Sequence, residues 1–410
     1  MAHPDSIVIV GGGLAGAKGA EGLREQGFRG GLTVIGAEDQ LPYERPPLSK
    51  SYLQGKSTLA DAQVHTREWY DDNAVDLRLA TTVTAVRSST HEIELAGGET
   101  IGYGALLLAT GSTPRRLPVP GADAAAVLTL RHVEDSDVIR ETFGADRRLA
   151  IIGGGWIGLE VAAAAREAGT EVTIIEATAA PLLPVLGADL ARVFATLHTD
   201  HGVTLHTDAR VTEIVTTDGR ASGVRLADGT VIPADAVVVG IGAAPNTALA
   251  EQAGLAVDNG VLVSAALRSS DPDIYAVGDI ANAEHPFIGT RIRVEHWANA
   301  LNQPAVAAAA MLGNAASYDA LPYFYTDQYD LGMEYVGYAP PGSYSQVVVR
   351  GDLQAREFVA FWLDAESRVL AGMNVNVWDV TDPIKALIRS GNAMAASRLA
   401  DPGILLEDLV

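Results

Sequence analysis

An α/β fold, with two doubly wound units and a small α+β domain after them, is predicted by three features of this chain. The first is a strand, a glycine turn and a helix at the start: Ile7 to Val10 is a continuous apolar run, Gly11 to Gly16 is glycine-rich, and Ala15 to Gln26 suits a helix. Such a run, apolar on both faces, is what a buried parallel strand requires. The second is the return of the same pattern at Leu149 to Ile152, Gly153 to Gly158 and Leu159 to Ala168, with second strands at Leu32 to Ile35 and Val172 to Ile175. The third is a change of pattern after Leu321, where aromatic-rich alternating segments (Tyr323 to Tyr329, Glu357 to Leu363) read as a small antiparallel sheet followed by a helix, Ile384 to Ser390.

Between the two units lies a β-rich stretch with a turn at Ala96-Gly97-Gly98-Glu99, ending in Leu106 to Ala109. A matching series follows the second unit, with hairpin turns at Asp218-Gly219 and Asp228-Gly229 and a strand at Ala236 to Val239. The economical layout inserts the second unit in the first. The expected domains are 1–112 with 244–316, then 113–243, then 317–410, the residues Leu399 to Val410 reading as a tail laid over the surface.

Each glycine turn fits G-x-G-x-x-G in the context that gives the pattern meaning, so the units are Rossmann-type dinucleotide-binding domains. Gly11 and Gly153 allow the tight turn, Gly13 and Gly155 let a pyrophosphate reach the backbone, and Gly16 and Gly158 let helix and strand pack closely. Ala15 and Ile157 lie inside the two motifs, at helix starts whose unpaired N–H groups favour phosphate. Glu176 stands 18 residues past Gly158, where a carboxylate accepts hydrogen bonds from a ribose diol and repels a 2′-phosphate. The second site is therefore expected to take NAD(H). In the first unit the matching position, 21 residues past Gly16, is Ala37, so backbone groups or the neighbouring Glu38 must hold the ribose.

Composition narrows the chemistry. The chain has 410 residues, 48% of them hydrophobic, a net charge of −22 and no cysteine. No apolar run approaches the ~18 residues that span a bilayer. Without a leader-like N-terminus, the expectation is a cytoplasmic protein. The acidity opposes nucleic acid and anionic membranes, so neither is expected as a partner. A flavin-linked disulfide reductase needs a thiol pair, and an iron–sulfur centre needs cysteine ligands. Both are excluded, and no metal site is expected.

The segment Leu41-Pro42-Tyr43-Glu44-Arg45-Pro46-Pro47-Leu48-Ser49-Lys50 resembles the stretch after the first unit in FAD-dependent NADH:ferredoxin reductases of oxygenase systems. Ala109-Thr110-Gly111 and Gly240 to Asn246, with Gly242 among them, resemble that family's two crossovers; Tyr275 to Asp279 resembles its second FAD motif, and Glu295 to Ala300 the segment under the flavin ring. The resemblance runs nearly end to end. It implies FAD and NAD(H) as cofactors and an external [2Fe–2S] ferredoxin as acceptor, flavin converting a two-electron donor to one-electron delivery. It also implies residue roles: Lys50 as a cation near flavin N5, Glu160 as a carboxylate facing the nicotinamide, Asp279 on the ribityl chain and Trp297 at the flavin edge. Arg45, Val83 and Arg131 fall at further FAD-contact positions. The plain alternatives are a surface lysine for Lys50 and an exposed helical glutamate for Glu160.

Docking an acidic ferredoxin on an acidic chain needs a local cationic patch, for which Arg291, Arg293, Lys385 and Arg389 are the candidates. Competing readings pass the electrons to rubredoxin, a quinone, oxygen or a small radical, or make the chain a redox-sensing flavoprotein resembling apoptosis-inducing factor.

Overall fold

The computed structural model of the chain describes residues 4–409, which divide into two compact units. One comprises the chain up to Arg45, Leu59–Thr113 and Ala243–Pro322; the other comprises Pro46–Thr58, Pro114–Gly242 and the chain from Tyr323 onward.

In the first unit, five parallel strands lie in the order Ile274–Ala276, Ala105–Leu108, Ser6–Val10, Gly31–Ile35, Val75–Arg78. The central strand is buried on both faces, which is why Ile7, Val8 and Ile9 can all be apolar without alternation. Helix Leu14–Glu25 covers the sheet, and helix Trp297–Met311 packs on that helix so closely that a Cβ on Gly22 would lie 3.2 Å from Ala305 Cα. Two three-stranded sheets, one built from Val83–Arg87, Glu92–Leu95 and Thr100–Gly102, belong to the same unit.

The second unit repeats the theme with a five-stranded parallel sheet: Thr204–His206, Glu171–Ile175, Arg148–Ile152, Ala236–Val239, Val127–Leu128. Its remaining large sheet is antiparallel, in the order Tyr323–Gln328, Leu331–Gly337, Val369–Val375, Glu357–Leu363, Gln346–Asp352. Phe358, Phe361 and Trp362 are fully buried there, and helix Thr381–Ser390 fits the sheet where Gly372 has no side chain to strike Ile384. The predicted fold class is the one observed: two parallel Rossmann-type units, one inserted in the other along the chain, and a C-terminal antiparallel sheet with a helix. Among the described residues, no helix is long and apolar enough to cross a membrane.

The C-terminal tail differs from expectation. It carries helix Ala396–Ala400 and a 3-10 turn, Leu406–Leu409, with Leu399, Leu406 and Leu409 buried. Arg350 ties it down through the carbonyls of Asp401, Pro402 and Ile404. Apolar spacing too short for a periodicity hid this packing. Val410 and residues 1–3, on which parts of the tail and N-terminal readings fall, lie outside the described residues.

His198, on helix Ala188–Asp200, is fully buried, and desolvation pushes its imidazole down to about 4. The unfolded chain takes up that proton near pH 6.5 and the folded chain only near pH 4. Unfolded molecules therefore bind more protons in between, and stability falls as pH is lowered across that window, by on the order of 3 kcal/mol for this group. Replacing His198 with Gln should flatten the decline measured by urea unfolding at pH 6.5 and 4.5; an unchanged slope would refute this assignment.

Candidate active site

The first glycine cradle is set by backbone collisions that only glycine avoids. Gly11 has φ +132°, and a Cβ there would sit 2.1 Å from the Ala109 carbonyl; one on Gly16 would sit 1.9 Å from the Gly11 carbonyl. A Cβ on Gly13, which caps helix Leu14–Glu25, would meet nothing within 4 Å. Two glycines thus serve the fold, and the third borders open space at a helix N-terminus. That is the arrangement a pyrophosphate requires. A Cβ on Gly278 would lie 3.3 Å from Ala15 Cβ, so this turn tolerates little bulk.

Other predicted residues gather in the same unit. Ala37 is exposed, while Glu38 is held by Arg45 at 2.8 Å and by the Tyr43 hydroxyl at 2.5 Å. Burial works to lower the Arg45 guanidinium, but Glu38, Tyr43 and Asp279 outweigh it and leave it raised. Asp279 accepts from Ser112 Oγ at 2.7 Å, and the Trp297 indole donates to Glu44 at 3.2 Å. Thr110 and Asn246 exchange hydrogen bonds, each with the other's carbonyl, and Asn246 N–H donates to Gly111. Val83 buries its side chain in the core at a register irregularity that leaves local backbone out of the ladder.

The second cradle repeats the first. A Cβ on Gly153 (φ +103°) would lie 2.4 Å from Gly240 O, one on Gly158 2.3 Å from Gly153 O, and one on Gly155 would meet nothing within 4 Å. Ile157 stands 48% exposed on the first turn of helix Trp156–Glu167, an apolar surface beside that opening. Glu176 accepts from Gly154 N–H at 2.6 Å and from the backbone and hydroxyl of Thr178, both at 2.8 Å. Its carboxylate is therefore fixed against the loop that a dinucleotide would cross. Gly242 has φ +94° and accepts from Arg115 N–H. Arg131 is half-buried, and its backbone N–H, with that of His132, donates to Asp135.

Lys50 and Glu160 meet. Lys50 Nζ lies 2.7 Å from Glu160 Oε1, with side-chain exposures of 14% and 4%. Glu160, on the second turn of helix Trp156–Glu167, is not an exposed helical glutamate, and Lys50 is not a free surface lysine. Ser49 donates to Glu160 Oε2 at 2.5 Å and Thr326 to Oε1 at 2.6 Å. Lys50 also stands 5.2 Å from the Tyr325 ring centre and borders a cavity of about 300 Å³ with Ser51, Gln54, Lys56, Asp327 and Tyr329. Sequence reasoning missed Ser49 and Thr326. A signal for Thr326 existed: alternation along Phe324, Thr326 and Gln328 puts polar residues on the strand's buried face.

The cationic candidates are less free than expected. Arg291 pairs with Glu284 at 2.6 Å and Lys385 with Asp382 at 2.9 Å. Arg293 is a correction: its side chain is 10% exposed, and it donates to the Asp279 carbonyl, Glu295 and Asn259. It braces the segment around Asp279 because those acceptors surround it.

Fold and site together define an oxidoreductase that holds two dinucleotides and contains no thiol. Residues 5–304 match the pyridine nucleotide-disulphide oxidoreductase family and residues 323–410 the reductase C-terminal family. The chain belongs to the former family, and its cofactors are FAD and NAD(H), as the resemblance implied. It is 40% identical to the ferredoxin reductase subunit of 5,5′-dehydrodivanillate O-demethylase from Sphingobium sp., over 100% of this chain and 99% of that protein. It is 38% identical to the ferredoxin–NAD(+) reductase component of the anthranilate 1,2-dioxygenase system from Burkholderia cepacia, over 98% of each. Among solved structures, the covalent putidaredoxin reductase–putidaredoxin complex matches with a TM-score of 0.95 and 36% identity, over 99% of this chain and 98% of that one.

Gly155→Ala should leave the unfolding midpoint almost unchanged yet weaken NADH binding, followed by fluorescence titration, about tenfold or more. Gly158→Ala should instead lower stability by about 1–3 kcal/mol, because its methyl group meets backbone. Equal destabilisation by both would disprove the division of roles.

Proposed function

We propose that this chain is the cytoplasmic NADH-dependent flavoprotein reductase that passes electrons, one at a time, to a [2Fe–2S] ferredoxin serving an oxygenase. The observation that carries the reading is two open-faced glycine cradles in one chain that has no cysteine. The two relatives above are named as ferredoxin reductase parts of an O-demethylase and a dioxygenase system, and the matching structure is the covalent complex of putidaredoxin reductase with putidaredoxin. Bound FAD supplies the chemistry, taking an electron pair from NADH and releasing single electrons.

The chain's own residues bind and orient. In this reading FAD belongs to 1–112 with 244–316, its phosphates at Gly11, Gly13 and Gly16, its ribose at Glu38 and its ribityl chain at Asp279. NAD(H) belongs to 113–243, its phosphates at Gly153, Gly155 and Gly158 and its ribose at Glu176. Residues 317–410 form the C-terminal domain, whose Thr326 reaches Glu160. Lys50 and Glu160 form the charged pair at the reacting end of the nucleotide, where a buried cation favours a reduced, negative flavin and a fixed carboxylate orients the nicotinamide. Arg291, Lys385 and Arg389 remain the docking candidates; Arg293 supports the flavin segment instead.

Anaerobic stopped-flow mixing tests the reading: NADH should bleach the yellow protein, and NADPH should do so at least about tenfold more slowly, since its 2′-phosphate would confront Glu176. Equal rates would overturn the nucleotide assignment. Reversing the charges of Arg291, Lys385 and Arg389 together should slow ferredoxin reduction, most at low salt, while ferricyanide reduction by NADH holds. Parallel loss of both activities would eliminate these candidates.

A further inference from the structure

Behind Glu160 lies a line of buried polar side chains that the proposed function does not use. Thr326 Oγ1 is 2.6 Å from Glu160 Oε1, Gln328 Nε2 is 3.1 Å from Thr326 Oγ1, and His198 Nε2 is 2.9 Å from Gln328 Oε1. The Tyr329 hydroxyl stands 3.4 Å from His198 Nδ1. Glu160 is 4% exposed, Gln328 1%, and Thr326 and His198 are 0% exposed. All belong to the second unit.

Hydrogen-bond capacity fixes the direction of this line. Glu160, in its ion pair with Lys50, offers only acceptors, so the single Thr326 hydroxyl proton points at it. Thr326 Oγ1 must then accept from Gln328, which turns the amide N–H toward Thr326 and the amide oxygen toward His198. His198 must carry its proton on Nε2 to donate to that oxygen. Burial keeps the imidazole neutral, pushed down to about 4, so Nδ1 is an acceptor facing the Tyr329 hydroxyl. Every donor points toward Glu160. A core that needed only filling would take apolar side chains at 326 and 328 with less desolvation. An amide also does not hand a proton through, so the line orients rather than conducts.

We propose that Thr326, Gln328 and His198 are positioning residues for Glu160, a one-way chain of hydrogen bonds that holds its carboxylate in the Lys50 pairing and so sets the charge offered to the nicotinamide. The inference rests on the reading of Glu160 as the carboxylate that faces the nucleotide.

Thr326→Val keeps the shape and removes the donor. It should slow flavin reduction by NADH about tenfold, the size of one lost hydrogen bond to a charged group, with NAD(+) affinity unchanged, while the unfolding midpoint falls because Glu160 loses a donor and Gln328 Nε2 its acceptor. Thr326→Ser should restore the rate. In a Glu160→Gln background, Thr326→Val should add no further loss, because its effect runs through the carboxylate. Independently of any variant, nitrogen-15 NMR of the holoprotein should show His198 as the neutral Nε2–H tautomer. A wild-type rate in Thr326→Val, multiplicative losses in the double variant, or an Nδ1–H imidazole would each overturn the chain. A wild-type flavin that NADH fails to reduce would overturn the functional reading and this inference with it.

Discussion

The burial of one charge pair, Lys50 with Glu160, ties together the separate chain segments of the second unit. A carboxylate 4% exposed is tolerable only if its lone pairs are met, and here three donors meet them: Lys50, Ser49 and Thr326. Those donors come from two segments far apart in sequence, the one that begins with the 3-10 turn Pro46–Ser49 and the first strand of the C-terminal sheet. The need to satisfy one charge thus accompanies the collection of three chain segments in one compact unit. Leu53, buried among Leu149, Ile151 and Leu159, supplies the apolar side of the same assembly. Removing one partner of such a pair typically costs about 3–5 kcal/mol, since the survivor is left uncompensated.

The two cradles show one backbone solution with two carboxylate arrangements. Collisions at Gly11, Gly16, Gly153 and Gly158 are nearly identical, because strand–turn–helix geometry repeats whatever the ligand. The ribose ends differ. Glu176 is fixed to the loop itself through Gly154 N–H, so the carboxylate and the phosphate-binding backbone form one rigid piece. Glu38 is held from outside the loop by Arg45 and Tyr43, on the segment that follows. Both carboxylates already carry internal partners, and Ala37 offers no side-chain oxygen at all.

What was legible in the sequence follows from how local each constraint is. The glycine turns are steric consequences of a few adjacent residues, so Gly11 to Gly16 and Gly153 to Gly158 declare themselves, as do the apolar strands they follow. Glu160 declares its helix but not its burial, because its partners Lys50 and Thr326 are more than a hundred residues away. Arg293 looked like a surface cation from its neighbours, yet Asp279 and Asn259, brought there only by tertiary structure, join Glu295 around its guanidinium. His198 and Gln328 carried no signal beyond a polar residue in an apolar stripe. Seen in space, that exception marks where the strand's buried face turns from packing to positioning.

The family's name includes a disulphide, and this chain cannot make one. With no cysteine, electrons entering from a nicotinamide have no covalent relay and must leave from the flavin itself. Transfer through space asks little of side-chain chemistry and much of placement, which fits a site built from a fixed ion pair, closed glycine turns and buried hydrogen bonds rather than from nucleophiles or bases. The same absence places the specificity of electron delivery on surface recognition. A net charge of −22 then works against any acidic acceptor at long range, so encounter must be won by local features within about a Debye length, roughly 10 Å at ordinary ionic strength. In the proposed docking, Arg291 and Lys385, each already sharing its charge with a neighbouring carboxylate, exchange internal partners for external ones. Such exchange yields weak, rapidly reversible contact, the kind suited to a reductase that must release its acceptor after every electron.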